Sequence, residues 1–355
     1  MQKKIVIATH SFSPGTSQAF RDYCLRKKYE VLFIEHSLFG SVLQWIIGVL
    51  DTGWKVVKRR QKFDLFIGSN RLNASMGIVL KKIGVVNRVV YFSPDWSSKR
   101  FNNSFLNFIF QKFDYFCVHH ADCVWNSSHI MKIDPMMKER LKLGYPKNWL
   151  KKQIQVPDGT ESFPFIPFSR IHRYQIGFVG HLVSRSGIDL LINSFADIKK
   201  ELPYVSALVI GSGELENLYK KKAKHMAIHF AGFVGNIKKV FQLLSHCAVA
   251  IAPYQPNSIS QFTDPGKVKN YLSIHLPIII TKVPQIAYEI EKERCGIAIK
   301  YDKKEFTQAV IKLLKNGKRL NLYRRNTIKL SKKYSWDTIF DRALYYTDTI
   351  NYEKK

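Results

Sequence analysis

The chain has 355 residues, room for two domains of ordinary size, and 46% are hydrophobic, which excludes a disordered chain. Lys and Arg number 56 against 27 Asp and Glu, a formal net charge of +29. An excess of that size calls for an anionic partner: nucleic acid, an anionic membrane surface or a phosphorylated substrate. The five cysteines are an odd, scattered set with no CxxC pair and no Cys/His ligand spacing. They read as reduced, mostly buried thiols of a cytosolic protein, with no metal site.

The N-terminus is basic but carries only a short apolar run, which predicts a first strand over Lys4–Thr9 rather than a signal peptide. Further strands are expected at Glu30–Glu35, Asp64–Gly68, Arg88–Phe92 and Cys123–Asn126. Between the second and third, Leu38, Val42, Trp45, Ile46, Val49 and Leu50 recur at helical spacing, followed by Trp54 and by Lys55, Lys58, Arg59, Arg60 and Lys62. Core packing and an amphipathic helix lying in a bilayer interface explain this segment equally well. The Phe-rich stretch Asn103–Phe116 reads as core. No apolar run reaches the ~20 residues that a membrane span needs.

Pro157–Arg173 is the most proline-rich segment and reads as an interdomain linker. Beyond it, strands are expected at Gln175–Val179, Ser206–Ile210, Ile228–Ala231, Val249–Ala252, Ile278–Thr281 and Gly296–Ile299. Tyr334–Ile350 closes the sequence with a helix bearing an aromatic face. Short apolar runs alternating with helical patterns predict parallel sheets covered by helices, in two successive doubly wound units. The expected division is 1–160, 174–333 and a terminal helix over 334–350.

The most informative stretch is Ser260–Thr281. The turn signal Asp264-Pro265-Gly266 runs into a short helix, then Leu276-Pro277 and a buried strand. Lys267 falls in the first turn of that helix, where free N–H groups and the helix dipole favour an anion.

This segment resembles the donor-binding segment of GT-B glycosyltransferases of the family-4-like group, whose pattern is E-G-F-G-x-x-x-x-E-A-x-A-x-G-x-P-V. Anchored on Pro277, the two family glutamates fall on Phe262 and Asn270, and a family glycine on His275. Asn270 keeps a polar group for the donor ribose. Asp264 either supplies the missing carboxylate or only makes the turn. IGFVGHLVSRSGIDLLI, from Ile176, resembles the family segment VGRLVPEKGVDLLI, in which an arginine and a lysine clamp the diphosphate. Gly180 and His181 match its start, and Arg185 stands one place before the lysine slot. Gly211 and Gly213 sit in the likeness to LVIVGDGPE, and Phe233 in the block whose backbone contacts the base. The resemblance assigns Gly180, His181, Arg185, Gly211, Gly213, Phe233, Gly266, Lys267, Val268 and Asn270 to donor binding.

In the first half, THSFSPGT resembles the family's glycine-bearing loop, placing Gly15 and Thr16 on the acceptor side. Family members often hold a histidine where Asp95 falls. Asp95 either contacts the acceptor or acts as general base for its hydroxyl, or else it is a helix cap or a partner for Lys99 or Arg100.

The resemblance implies an α/β, GT-B fold of two facing Rossmann-like doubly wound domains, with the terminal helix packed back on the first. It implies transfer of a sugar from a UDP- or GDP-linked donor, without cofactor or metal. The expected acceptor is a hydroxyl of a lipid-linked glycan in bacterial surface polysaccharide synthesis, at the inner face of the cell membrane. The candidate catalytic residues are Asp95 and Asp264. Loss of both glutamates leaves a catalytically inactive glycosyltransferase-like subunit as an alternative. A basic nucleic-acid-binding protein fits the charge, but no RNA motif, helix-turn-helix signature or zinc spacing is present, so no nucleic acid is expected. A nicotinamide-dependent enzyme is disfavoured because Gly211-Ser212-Gly213 lacks the third glycine of GxGxxG.

Overall fold

The computed structural model describes residues 2–11, 15–37, 42–94, 96, 101, 103–127, 135–256, 260 and 264–350. The chain divides into two compact units, residues 1–157 with 336–355, and residues 158–335. Among the described residues each unit holds a six-stranded sheet with all neighbours parallel.

Unit 1 has strands β1 (Lys4–Ser11), β2 (Glu30–Ser37), β3 (Phe63–Ser69), β4 (Val86–Ser93), β5 (Cys123–Asn126) and β6 (Gln153–Gln155) in the order β2-β1-β3-β4-β5-β6. Its helices include α1 (Thr16–Arg26), α2 (Val42–Val57), α3 (Arg71–Lys82), α4 (Ser104–His120) and α5 (Pro135–Lys142). Parallel strands are covered on both faces, so they read as unbroken apolar runs. Ile5, Val6, Ile7 and Ala8 of β1 are accordingly all fully buried. β6 is an edge strand of sequence QIQ, paired only to β5, and carries no such run.

A buried charge cluster holds α4 and α5 to this sheet. Asp114 accepts hydrogen bonds from Tyr91 Oη at 2.6 Å, Tyr145 Oη at 2.7 Å and Trp96 Nε1 at 3.1 Å. It also receives both Arg140 Nε and Nη2, at 3.2 and 3.1 Å. Burial opposes the carboxylate, but Arg140 and Arg71 outweigh it and hold Asp114 below its ordinary range.

Unit 2 runs β7 (His172–Val179), α6 (Ile188–Glu201), β8 (Ser206–Ile210), α7 (Glu216–Lys222), β9 (Ile228–Gly232), α8 (Ile237–Ser245) and β10 (Cys247–Ala252). It continues with α9 (Gly266–Ser273), β11 (Ile278–Thr281), α10 (Ile286–Lys292), β12 (Gly296–Ile299), α11 (Lys303–Lys315) and α12 (Gly317–Lys333). The strand order is β12-β11-β10-β7-β8-β9, so the winding reverses between β7 and β10. In doubly wound sheets ligands gather at such a reversal, outside the carboxyl ends of the strands.

Much of the proline-rich segment expected as a linker belongs to unit 2. Thr160 N donates to Tyr334 O at 2.9 Å, Phe163 N donates to Ser273 O at 3.3 Å, and the Phe163 ring meets Phe241 edge-on. The last helix, α13 (Trp336–Thr349), lies in unit 1. There Phe340 packs edge-on against Phe20 of α1, and Trp125 Nε1 of β5 donates to Thr347 Oγ1 at 3.0 Å.

Candidate functional site

The β7–β10 reversal in unit 2 is built by glycines. Gly180, Gly211 and Gly232 end β7, β8 and β9 with φ of 152°, 136° and 69°. Gly180 N donates to Ile210 O at 3.0 Å and Gly211 N to Gly232 O at 2.8 Å, so the three strand ends are laced backbone to backbone. A Cβ on Gly211 would stand 2.0 Å from Gly180 O, and one on Gly213 2.6 Å from Leu182 O. Only glycine permits that approach. Across the reversal, Gly187 carries φ of 69° and its Cβ would strike Pro253 O, which brings the start of α6 against the end of β10.

Lys267 reaches into this reversal from the first turn of α9. Its Nζ lies 4.6 Å from the Phe178 ring centroid on β7 and 4.7 Å from that of Tyr254, just past β10. A Cβ on Gly180 would meet the same Nζ at 3.0 Å. The ammonium has no carboxylate partner among the described residues. Aromatic faces attract a cation but do not neutralise it. Burial first, and the charge of Arg185 second, push Lys267 down to about 7. Arg185 sits at the surface in the turn before Gly187, its carbonyl accepting from Gln255 N at 3.3 Å. It too has no carboxylate partner among the described residues. Two uncompensated cations and a helix N-terminus therefore converge at the mouth of the sheet. Such an arrangement holds a polyanion such as a diphosphate.

Asp264 is placed differently. Its carboxylate forms an ion pair with Lys269, whose side chain is fully buried, and accepts from Asp158 N at 2.8 Å. The pair ties the turn before α9 to the helix itself. Gly266 is close-packed, its Cβ position 3.3 Å from Asp158 Oδ2. Val268 lies in the core, and its N–H donates to Pro265 O at 3.0 Å, so it offers packing rather than a free donor. Asn270 is partly buried and accepts from Thr160 Oγ1 at 3.4 Å. His181 is exposed, and Phe233 presents a ring that is 75% exposed just beyond β9. The structure thus gathers Gly180, Arg185, Gly211, Gly213 and Lys267 around one mouth.

In unit 1, Gly15 caps α1 and its N–H donates to Gln18 Oε1 at 2.8 Å, with Thr16 opening the helix. Asp95 and Phe262 lie outside the described residues. Sequence reasoning did not find Phe178 and Tyr254, whose rings flank the lysine, nor Lys269. An aromatic residue in an apolar strand, such as Phe178, or just past one, such as Tyr254, carries no signal that separates it from ordinary core. His275 occupies the position of a family glycine and keeps that glycine's backbone, with φ of 61°. Among the described residues no group of His, Cys, Asp and Glu is arranged to hold a metal ion.

Residues 173–316 match the family model described as glycosyl transferases group 1. No curated protein sequence matches the chain. HepE of Anabaena, solved in complex with UDP, superposes with TM-score 0.72 at 15% identity, covering 98% of this chain and 100% of that one. Sucrose-phosphate synthase of Thermosynechococcus elongatus gives 0.71 at 13% identity, with 98% and 99% covered. WaaG, a glycosyltransferase involved in lipopolysaccharide biosynthesis, gives 0.63 at 14% identity, with 98% and 99% covered. The architecture of two doubly wound units is that of GT-B glycosyltransferases.

Proposed function

We propose, from the match of residues 173–316 to the family model of glycosyl transferases group 1, that the protein moves a glycosyl group from a nucleoside-diphosphate sugar to an acceptor hydroxyl. The observation that carries this reading is Lys267, an ammonium between two rings with no counter-charge among the described residues. When the glycosyl–oxygen bond breaks, negative charge grows on the departing diphosphate. Fixed positive groups aimed at that charge stabilise the transition state more than the ground state. Lys267, Arg185 and the N-terminus of α9 supply them without a metal. UDP is the first donor nucleotide to test, because HepE binds UDP and UDP-glucose.

Phe233 is exposed beyond β9 and offers a surface for the base. Asn270 offers an amide to the ribose. Asp264 is held by Lys269 and works as a tether of the α9 turn, which leaves Asp95 as the candidate base for the acceptor hydroxyl. Retention of anomeric configuration follows from the family likeness, whereas a base at Asp95 fits inversion. The acceptor we propose is a lipid-linked glycan at the inner face of a bacterial membrane. Two features of α2 support it. Leu50 and Trp54 are 61% and 59% exposed, and Lys58 lies 4.5 Å from the Trp54 ring at the head of a basic run. Among the described residues no helix is long and apolar enough to cross a membrane.

Calorimetric titration with UDP and with GDP in EDTA tests the donor site. Binding of either nucleotide is expected. Binding only after Mg²⁺ or Mn²⁺ is added overturns the metal-free reading, and no binding under any condition overturns the site.

A further inference from the structure

The phenylalanine-rich helix α4 has apolar residues on every side. A helix of that composition belongs in a core, yet most of it lies at the surface. Only Asp114, Cys117 and Val118 of α4 are buried. On the opposite side Phe105 and Phe108 are 67% and 58% exposed, and Leu106, Ile109 and Phe113 are exposed as well. These five follow one another at helical spacing and form one stripe. The start of the helix is fixed. Asn103 Oδ1 caps it by accepting from Leu106 N at 3.0 Å, and Asn107 brackets the backbone of Phe101. The phenylalanines are therefore presented on a regular, capped helix.

The charges around the stripe select its occupant. Lys112 stands over the Phe108 ring at 5.3 Å, and the one acidic residue of α4, Asp114, is buried against Arg140. α3 packs between α2 and α4 on one side of the sheet. The acids near that side are already paired within the fold: Asp51 with Lys55, and Asp122 with Lys81. Lys58, Arg59, Arg60, Lys62, Lys82 and Lys112 have no carboxylate partner among the described residues. A second copy docked symmetrically on this side would set those cations against one another. Single-stranded nucleic acid would answer the charge and could stack on the rings, but it gives no partner to the aliphatic Leu106 and Ile109 of the same stripe.

We propose that α4 is a bilayer-inserting helix, its Phe105–Phe113 stripe sinking into an anionic leaflet while the unpaired basic residues that follow α2 (Lys58, Arg59, Arg60 and Lys62), with Lys82 and Lys112, meet the headgroups. An interfacial helix of this kind buries its apolar side to a depth of roughly 5–10 Å. The proposal rests on the bilayer reading of α2 and extends it, since α4 adds a second apolar contribution beside that of α2.

All five native cysteines are buried, so an environment-sensitive maleimide dye attached to F108C reports from α4 alone. With vesicles of phosphatidylglycerol and phosphatidylcholine, the dye should shift to the blue and be quenched by brominated acyl chains. Phe105→Ser with Phe108→Ser should lower partition onto those vesicles by roughly a hundredfold, since each buried phenylalanine is worth about a factor of ten. Both side chains are exposed, so the melting temperature of the double variant should stay at that of the wild type. A protein that sediments with the vesicles while the dye is unshifted docks by α2 alone, and the proposal falls. It falls equally if wild type ignores the vesicles at low salt, which also removes the α2 reading. A dimer in solution that the double serine variant abolishes assigns the stripe to a second copy instead.

Discussion

Lys267 Nζ lies 3.0 Å from the point at which a Cβ on Gly180 would stand. The end of β7 is bare there, and the lysine fills the gap between Phe178 and Tyr254. Gly180→Ala places a methyl against the ammonium, on a backbone with φ of 152° that L side chains rarely adopt. The variant should lose about 1 kcal/mol of stability. Its affinity for UDP should fall by roughly tenfold or more, a displaced charge-assisted contact of ordinary strength. Thermal melting and calorimetry measure the two effects separately. Unchanged nucleotide affinity would take Gly180 out of the site.

Lys267→Ala should weaken nucleoside diphosphate binding by about 1.5–3 kcal/mol, the usual contribution of a charged contact. Lys282 is the control: it stands at the surface 3.5 Å from Glu291, and its replacement by alanine should change affinity little. Equal affinities in the two variants would remove Lys267 from the diphosphate site.

The sheets were the most legible part of the chain. Val, Ile and Ala runs such as Cys247–Ala252 are buried on both faces, as strands of a covered parallel sheet are. β6 was missed because QIQ at a sheet edge needs no apolar run. Lys267 was legible as a lysine in the first turn of a helix. Its setting was not, because Phe178 on β7 and Tyr254 just past β10 are brought beside it only by the fold. Asp264 was legible as a turn residue, but its tie to Lys269 depends on a lysine that the fold buries completely, which no composition rule anticipates. The Phe-rich stretch was assigned to a core on composition alone, and α4 instead exposes most of it.

His275 should make the folded state acid-sensitive. Burial and then the charge of Arg324 hold its imidazole down at about 4, and its Nδ1 has no hydrogen-bond partner among the described residues. The unfolded chain takes up the proton near the ordinary 6.5, whereas the folded protein resists it. The stabilisation is complete above pH 6.5, declines as the pH falls, and is exhausted near pH 4. Within that window the slope is up to about 1.4 kcal/mol per pH unit for each such group. His10 at the end of β1 is held at about 4 by burial and by His36, and adds to the same window in unit 1. Urea unfolding at pH 7 and pH 4.5 should show the loss, and His275→Gly, which suits the φ of 61°, should reduce it. Equal slopes in the two proteins would exclude His275 as a source.

The Asp114–Arg140 pair in unit 1 should be intolerant of single replacement. Both side chains are buried, and each satisfies the other together with Tyr91, Tyr145, Asn126 and Gln153. Arg140→Leu leaves a buried carboxylate without its main counter-charge and should cost about 3–5 kcal/mol. Adding Asp114→Leu removes that carboxylate and should recover part of the loss, because the pair's attraction is offset by its own desolvation. Denaturant titration of the two single variants and the double gives the coupling directly. Strictly additive losses would mean that the two residues act separately.

Nucleotide binding should carry a proton with it. In the protein alone the Lys267 amine is held at about 7, far below its ordinary 10.5, chiefly by burial and further by Arg185. The groups around it are Arg185 from the turn after β7, the Tyr254 ring after β10, and the Asp264–Lys269 pair on its own segment. A diphosphate stabilises the ammonium and raises its pKa. Below pH 7 the site is already charged, and affinity should change little from this source. Above pH 7 each complex must take up a proton, so affinity should fall by as much as about tenfold per pH unit until the pKa of the bound lysine is reached. At pH 8 the nucleotide's own phosphates are fully ionised and do not contribute. Titrations at pH 8 in buffers of different ionisation enthalpy should therefore show uptake approaching one proton in the wild type and almost none in Lys267→Arg, whose charge is permanent. Proton uptake that persists in Lys267→Arg would assign the titration to another group.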